Sequence, residues 1–213
     1  ADLDHAQLVD ANLTDTTIVY TNFHDANLTR VDLSGKDITG TILTSADLSG
    51  ANLDGVDLSG KDLTGAKLVY IDLSGKDLTG TILTKADLTD TTFSKVDLSG
   101  KDLTGTILRG ASLSNANLTG TILRGVDLID ANLTGTNLTG ADLTDANLGR
   151  AILVGADLSG KDLTGTILTK ADLTDANLAG VDLSGKDLTR TILAGVDLSG
   201  RNLTGTILRG VDL

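Results

Sequence analysis

Along this chain the apolar positions return every five residues, and the register never slips. Counted from Ala1, the units run Ala1-Asp2-Leu3-Asp4-His5, Ala6-Gln7-Leu8-Val9-Asp10 and so on, to the partial unit Val211-Asp212-Leu213. The third place is Leu except at Ile18, Phe23, Ile38 and Phe93, and the first place is mostly Ala, Thr or Val. A period of five suits neither regular element. On a helix each step of five rotates the side chain by about 140° and scatters the leucines over the whole surface, whereas a strand needs alternation at two. The pattern predicts a chain that turns a corner every five residues, with the third and first side chains inside and the second, fourth and fifth outside. Of the 25 glycines, all but Gly149 occupy the fifth place, usually after Ser or Thr. Glycine there supplies the positive φ of a type II turn, and the second-place Asp or Asn is expected to bond nearby turn backbone.

Units such as Ala46-Asp47-Leu48-Ser49-Gly50, Ala51-Asn52-Leu53-Asp54-Gly55 and Ala116-Asn117-Leu118-Thr119-Gly120 resemble the A-(D/N)-L-x-x signature of the pentapeptide-repeat proteins, and the resemblance runs from end to end. It implies an all-β fold: a right-handed quadrilateral β-helix with four units to a coil, forming one domain over residues 1–213. At about 4.8 Å per coil the chain would make about ten to eleven coils, a rod roughly 50 Å long. Bonding between coils would satisfy the backbone, and a leucine ladder on each face would fill the interior. Both termini fall inside the repeat without a cap, so end-to-end self-association is expected.

Seven units break the rule for the first place, starting with Lys36, Lys61, Lys76, Lys101, Lys161, Lys186 or Arg201, each after Ser-Gly. An inward ammonium without a partner would cost several kcal/mol, on the order of a buried ion. The expectation is that each stem crosses the corner beside the glycine and carries its charge to water near the outward Asp. The sharper alternative is an internal polar cluster, because Lys61 and Lys101 alternate with Thr41, Thr81 and Thr121 at twenty-residue spacing. The bases belong to a cassette, Val-Asp-Leu-Ser-Gly-Lys-Asp-Leu-Thr-Gly-Thr-Ile-Leu, intact at 96–108 and varied from 31, 71, 156, 181 and 196. These starts differ by multiples of five and seldom of twenty, so the cassette should land on different faces.

Composition narrows the function. All 29 acidic residues are Asp, against 17 Lys and Arg, for a net charge of −12. That balance argues against direct binding to nucleic acid or anionic lipid. Without cysteine there is no disulfide framework or thiolate zinc site, and the longest apolar run, Ala151-Ile152-Leu153-Val154, is far too short to cross a membrane. A soluble chain is expected, with the cytoplasm as its compartment. His5 and His24 fall about one coil apart but have no glutamate, cysteine or phosphate loop beside them, so they are read as surface. No catalytic, cofactor or metal site is expected, and the chain is not read as an enzyme.

Stacked at twenty-residue spacing, Asp37, Asp57, Asp77 and Asp97 form a candidate acidic stripe for a basic protein partner, and Asp142, Asp162 and Asp182 form a shorter one. Like charges at this separation cost just under ~1 kcal/mol per pair in water. Thr44, Thr64, Thr84 and Thr104 stack in the fourth place, resembling the threonine rows of ice-binding solenoids. Eight second-place isoleucines, from Ile42 to Ile207, should face solvent as contact points. The sequence therefore reads as a non-catalytic, rigid acidic rod for structure or protein interaction. Two alternatives remain, ice binding and a duplex-DNA mimic that binds DNA gyrase. The mimic is suggested by the resemblance to quinolone-resistance relatives; against it, no loop or dimerising segment interrupts the register.

Overall fold

The computed structural model describes all residues from Ala1 to Leu213. Every fifth place has a φ between 50° and 74°. The next first-place N–H donates back to the third-place carbonyl, as from Ala6 to Leu3 at 3.0 Å and from Ala46 to Leu43 at 3.1 Å. These are the marks of a type II turn. Glycine eases the turn but does not create it, since 18 of these positions are other residues, among them Tyr20, Lys85 and Arg150. An L-residue held there costs ~1–2 kcal/mol, so the stack must impose the corner. At Gly40 a Cβ would in addition displace the exposed Tyr20 ring lying over it.

Each turn of chain is tied to the next at a twenty-residue register, and the five N–H groups of a regular unit have five distinct acceptors. The first bonds the preceding third-place carbonyl. The second reaches the first-place carbonyl one coil back, as from Asn22 to Ala1 at 2.9 Å, and the third and fifth reach one coil forward, from Leu3 to Asn22 and from His5 to His24. The fourth is taken by the second-place side chain, as Ser34 N–H donates to Asp32 Oδ1 at 3.0 Å. Where that residue is Asp or Asn, the outward side chain closes the backbone account. The pairing is narrower than a conventional sheet. Parallel bridges join single second-place residues, such as Ile107 to Asp127, and no longer strand forms, because the leucine that follows already opens a turn.

Third-place side chains are buried through the middle of the stack, with Leu68, Leu88, Phe93 and Leu118 fully enclosed, and small first-place residues such as Ala66 and Ala116 fill in between. First-place threonines are buried without penalty because their hydroxyls donate to backbone: Thr81 Oγ1 to the Leu58 carbonyl at 2.8 Å, Thr91 Oγ1 to Leu68 at 2.6 Å. In the outermost turns the leucines are less covered; Leu3 and Leu203 are half-buried and Leu213 is exposed. There is no helix long and apolar enough to cross a membrane.

Candidate functional site

The acidic stripe sits where the corners project it. Asp37, Asp57, Asp77 and Asp97 each accept the N–H two residues on, at 2.8 to 3.0 Å. The hydroxyl and N–H of Thr39 hold the Asp37 carboxyl below the usual carboxylate value, and Ser59, Thr79 and Ser99 act likewise on the other three. The charge of Asp77 pushes the other way on Asp57, as expected for stacked carboxylates. All four are ionised at neutral pH, and each is aimed by its own turn. Many other second-place aspartates are lowered for the same reason, including Asp32, Asp102, Asp157 and Asp187.

This has a pH consequence. A carboxyl whose folded value lies below its unfolded one contributes stability that is present above the unfolded value and is lost as pH falls through the folded one. The melting temperature should be flat from about pH 7 to 5 and drop below about pH 4. Replacing shifted aspartates by Asn keeps Oδ1 as an acceptor and should flatten the acid limb. An acid limb that is the same in Asp32→Asn/Asp102→Asn/Asp157→Asn as in the parent would refute this account.

The same column runs along a set of seams that the sequence did not announce. Twenty-five second-place pairs bridge successive turns, and fourteen do not. Every unbridged pair involves a unit that begins with one of the seven bases, or the unit just before it, facing the preceding turn of chain. For Lys61 the open pairs are Asp37 with Asp57 and Ile42 with Asp62; the N–H groups of Ile38, Gly40, Leu43, Asp57 and Asp62 all lack backbone partners there. Ser-Gly alone does not open the ladder. Ala46-Asp47-Leu48-Ser49-Gly50 is followed by Ala51, and both Asp47 and Asn52 bridge the preceding turn normally, to Asn27 and Asp32.

The ammonium groups do come close to the outward aspartates, as expected from sequence, but they are half-buried rather than carried clear into water. They insert between turns and donate to carbonyls: Lys61 Nζ to Ile38 at 2.5 Å, Lys76 Nζ to Leu53 at 2.5 Å, Lys186 Nζ to Leu163, and Lys101 Nζ to Thr81 at 3.0 Å. A threonine in this place reaches, with a short hydroxyl, the kind of third-place carbonyl that Lys61, Lys76 and Lys186 reach, as Thr81 does at Leu58. A four-methylene stem does not fit where Thr or Ala sits, so it lies in the gap and holds it open. Burial pushes the Lys101, Lys161 and Lys186 ammonium groups below the usual lysine value, opposed by neighbouring aspartates. At Arg201 the longer head leaves Nε buried without a partner.

Where a lysine unit lies beneath a second such seam, a polar cleft results. One of about 440 Å³ is lined by Lys36, Asp37, Asp57, Ser59 and Lys61, and its equivalents lie at Lys76–Lys101 and Lys161–Lys186. The four candidate aspartates thus flank two clefts in which two ammonium groups face two carboxylates.

The remaining candidates separate clearly. His5 and His24 do approach, rings 6.2 Å apart, with Asp25 reaching both at 3.6 and 3.3 Å. His24 Nδ1 is occupied by the Thr44 hydroxyl at 2.8 Å and by its carbonyl. No group of three or more metal-ligating side chains converges. In the threonine column the Thr64 hydroxyl donates to Asp62 at 2.6 Å and lies 3.3 Å from the Thr84 hydroxyl, while that of Thr44 engages the histidine. The eight isoleucines face solvent, as do Tyr20 and Tyr70, which sequence reasoning passed over. It also missed a cationic face: Arg109, Arg150, Lys170, Arg190 and Arg209 project from one column of stacked units, with only unit 126–130 between the first two contributing no base. The signal was present in the fourth and fifth places at twenty-residue intervals.

A family model for pentapeptide repeats (8 copies) matches overlapping stretches from residues 1–35 to 171–210. Among solved structures, HetL from the cyanobacterium Nostoc sp. strain PCC 7120, a pentapeptide repeat protein involved in heterocyst differentiation regulation, is 32% identical, covering 100% of this chain and 88% of its own, with a TM-score of 0.38. A pentapeptide repeat protein from the thylakoid lumen of Arabidopsis thaliana is 33% identical over 45% of this chain and 70% of its own, with a TM-score of 0.37. QnrB1, a plasmid-mediated fluoroquinolone resistance protein, is 21% identical over 86% and 89%, with a TM-score of 0.46. No curated protein sequence matches. With its family model matched along nearly the whole length, and the twenty-residue register to go with it, the chain belongs to the pentapeptide repeat family, whose members fold as right-handed quadrilateral β-helices.

Proposed function

We propose that this chain is a rigid, non-catalytic acidic solenoid of between ten and eleven coils, serving as a structural or protein-interaction module whose column Asp37, Asp57, Asp77 and Asp97 engages a basic protein segment. The observation that supports this most directly is the clamping of each carboxylate by its own turn. Groups already ordered in the free protein lose little freedom on binding. A duplex mimic is less well supported, because DNA is anionic around its whole circumference whereas the face bearing Arg109, Arg150, Lys170 and Arg190 is cationic.

The test uses a fluorescent lysine-rich peptide at several salt concentrations. Replacing the four aspartates together by Asn should weaken binding about tenfold, if each exposed pair contributes a few tenths of a kcal/mol. Replacing Asp32, Asp72, Asp172 and Asp212 on the neighbouring face is the control. Equal losses in the two quadruple variants would mean that only net charge matters, and the column would then have no special role.

A further inference from the structure

We infer that a depression at Gly149, on the cationic face, is a docking site for a short acidic peptide segment that carries one aliphatic side chain. It lies on a different face from the aspartate column and stands whether or not that column binds. In units 106–110, 126–130, 146–150 and 166–170, which stack on one another, the repeat rules lapse together. Gly149 occupies the fourth place, where Ser or Thr is usual, and Ile129 one coil below is the only isoleucine in that place anywhere in the chain. Asp127 and Asn147 bridge their neighbours normally, so the backbone beneath is intact.

Nothing in the fold asks for glycine at 149. It is the one glycine without a positive φ, because Arg150 carries the turn with a φ of 60°. A Cβ added there would meet Asn147 Oδ1 at 3.2 Å and Ile129 Cγ1 at 3.9 Å, so it needs at most a small adjustment by a surface amide. Gly149 is among the residues that line a depression of about 300 Å³, with Ile129 and Ile167 as apolar wall and Arg109, Arg150 and Lys170 around it. Ile167 is 46% exposed, an aliphatic group left uncovered.

The charges around it are graded. Arg150 is fixed by Asp130, through Nε at 2.6 Å and Nη2 at 2.5 Å, which leaves further N–H donors directed elsewhere. Arg109 touches Asp127 only at 3.5 Å, and Lys170 is in no ion pair. Along this face from 106 to 210, five bases (Arg109, Arg150, Lys170, Arg190, Arg209) stand against three acids (Asp127, Asp130, Asp187), in a chain whose net charge is −12. Carboxylates next to an aliphatic side chain match an apolar floor with cationic edges. Aspartates of the neighbouring face, Asp145 and Asp162, act on Lys186 at the margin of this column, so a short acidic segment is tolerated at the depression where a long polyanion, reaching past it to those aspartates, would be repelled.

The probe is a fluorescein-labelled pentapeptide with one leucine between two pairs of glutamates, titrated with the full chain by fluorescence anisotropy. Saturable binding is expected. Gly149→Thr, which restores the usual residue, should weaken it at least tenfold, and Ile129→Thr, also the usual residue in that place, severalfold; Lys170→Gln should reduce both affinity and its salt dependence. Thermal melts of the variants should match the parent, since both threonines are standard for the fold. Saturation unaffected by Gly149→Thr and Ile129→Thr, equal binding of a peptide with serine for leucine, tighter binding of a labelled single-stranded oligonucleotide, or no binding at all would each overturn the assignment.

Discussion

A chain carrying Lys61→Thr and Lys101→Thr should be more stable than its parent, although each change removes a hydrogen bond to the backbone. Both positions lie in a column that already holds Thr21, Thr41, Thr81 and Thr121, all buried. A threonine hydroxyl reaches the third-place carbonyl from there, as Thr81 does at Leu58, without a stem in the gap. With the wedge gone, the turns can close. Five backbone N–H groups per seam then recover partners, each worth about 0.5–1.5 kcal/mol net, so after allowing for water that already solvates the gap a gain of ~2–4 kcal/mol per seam is expected. Denaturant midpoints would report the sum. Hydrogen exchange would report the place: the amides of Ile38, Gly40, Leu43, Asp57 and Asp62 should exchange fast in the parent and at least tenfold slower in the variant, while that of Leu48 is already protected. Unchanged exchange at those five sites would show that the lysines do not hold the seam open.

The largest loss should come from Phe93→Ala. Phe93 is wholly enclosed and is one of only two aromatic residues in the third place. Removing the ring should cost ~3–5 kcal/mol, because closely stacked turns cannot collapse into the space. Phe93→Leu restores the usual residue and should cost less than ~1.5 kcal/mol. In a solenoid each coil rests only on its neighbours, so the deficit would be local and the alanine variant should show a broadened or split denaturation curve. A loss below about 1 kcal/mol would mean that the column repacks far more freely than a native interior does.

Much of this molecule is legible in a single unit. The third-place leucine, the small first place and the turn at the fifth follow from five residues, and so does the clamp that Asp32 or Asp37 places on its own turn. What lies beyond the unit is harder to read. The direction of Lys61 is decided by a carbonyl twenty-three residues earlier, at Ile38, and a stem at the corner has two exits of similar length. The expected sheet shrank to single bridges because each strand-like stretch is cut by the next corner. Likewise Gly149 is visibly out of place in the sequence, but the depression it lines is walled by Ile129 and Ile167 from the coils on either side, which no single unit reveals.

The seams are not spread evenly around the rod. Eleven of the fourteen open pairs lie in the two adjacent columns of units that begin at residues 16 and 1, whereas the column from 6 is joined without a break from Gln7 to Ile167, and that from 11 from Asp72 to Asp212. Such an object has a stiff back and a compliant belly. Under lengthwise load it should gape on one side first, like a fan pinned along its far edge, and anything that grips Asp37 and Asp57 takes hold of the side that yields.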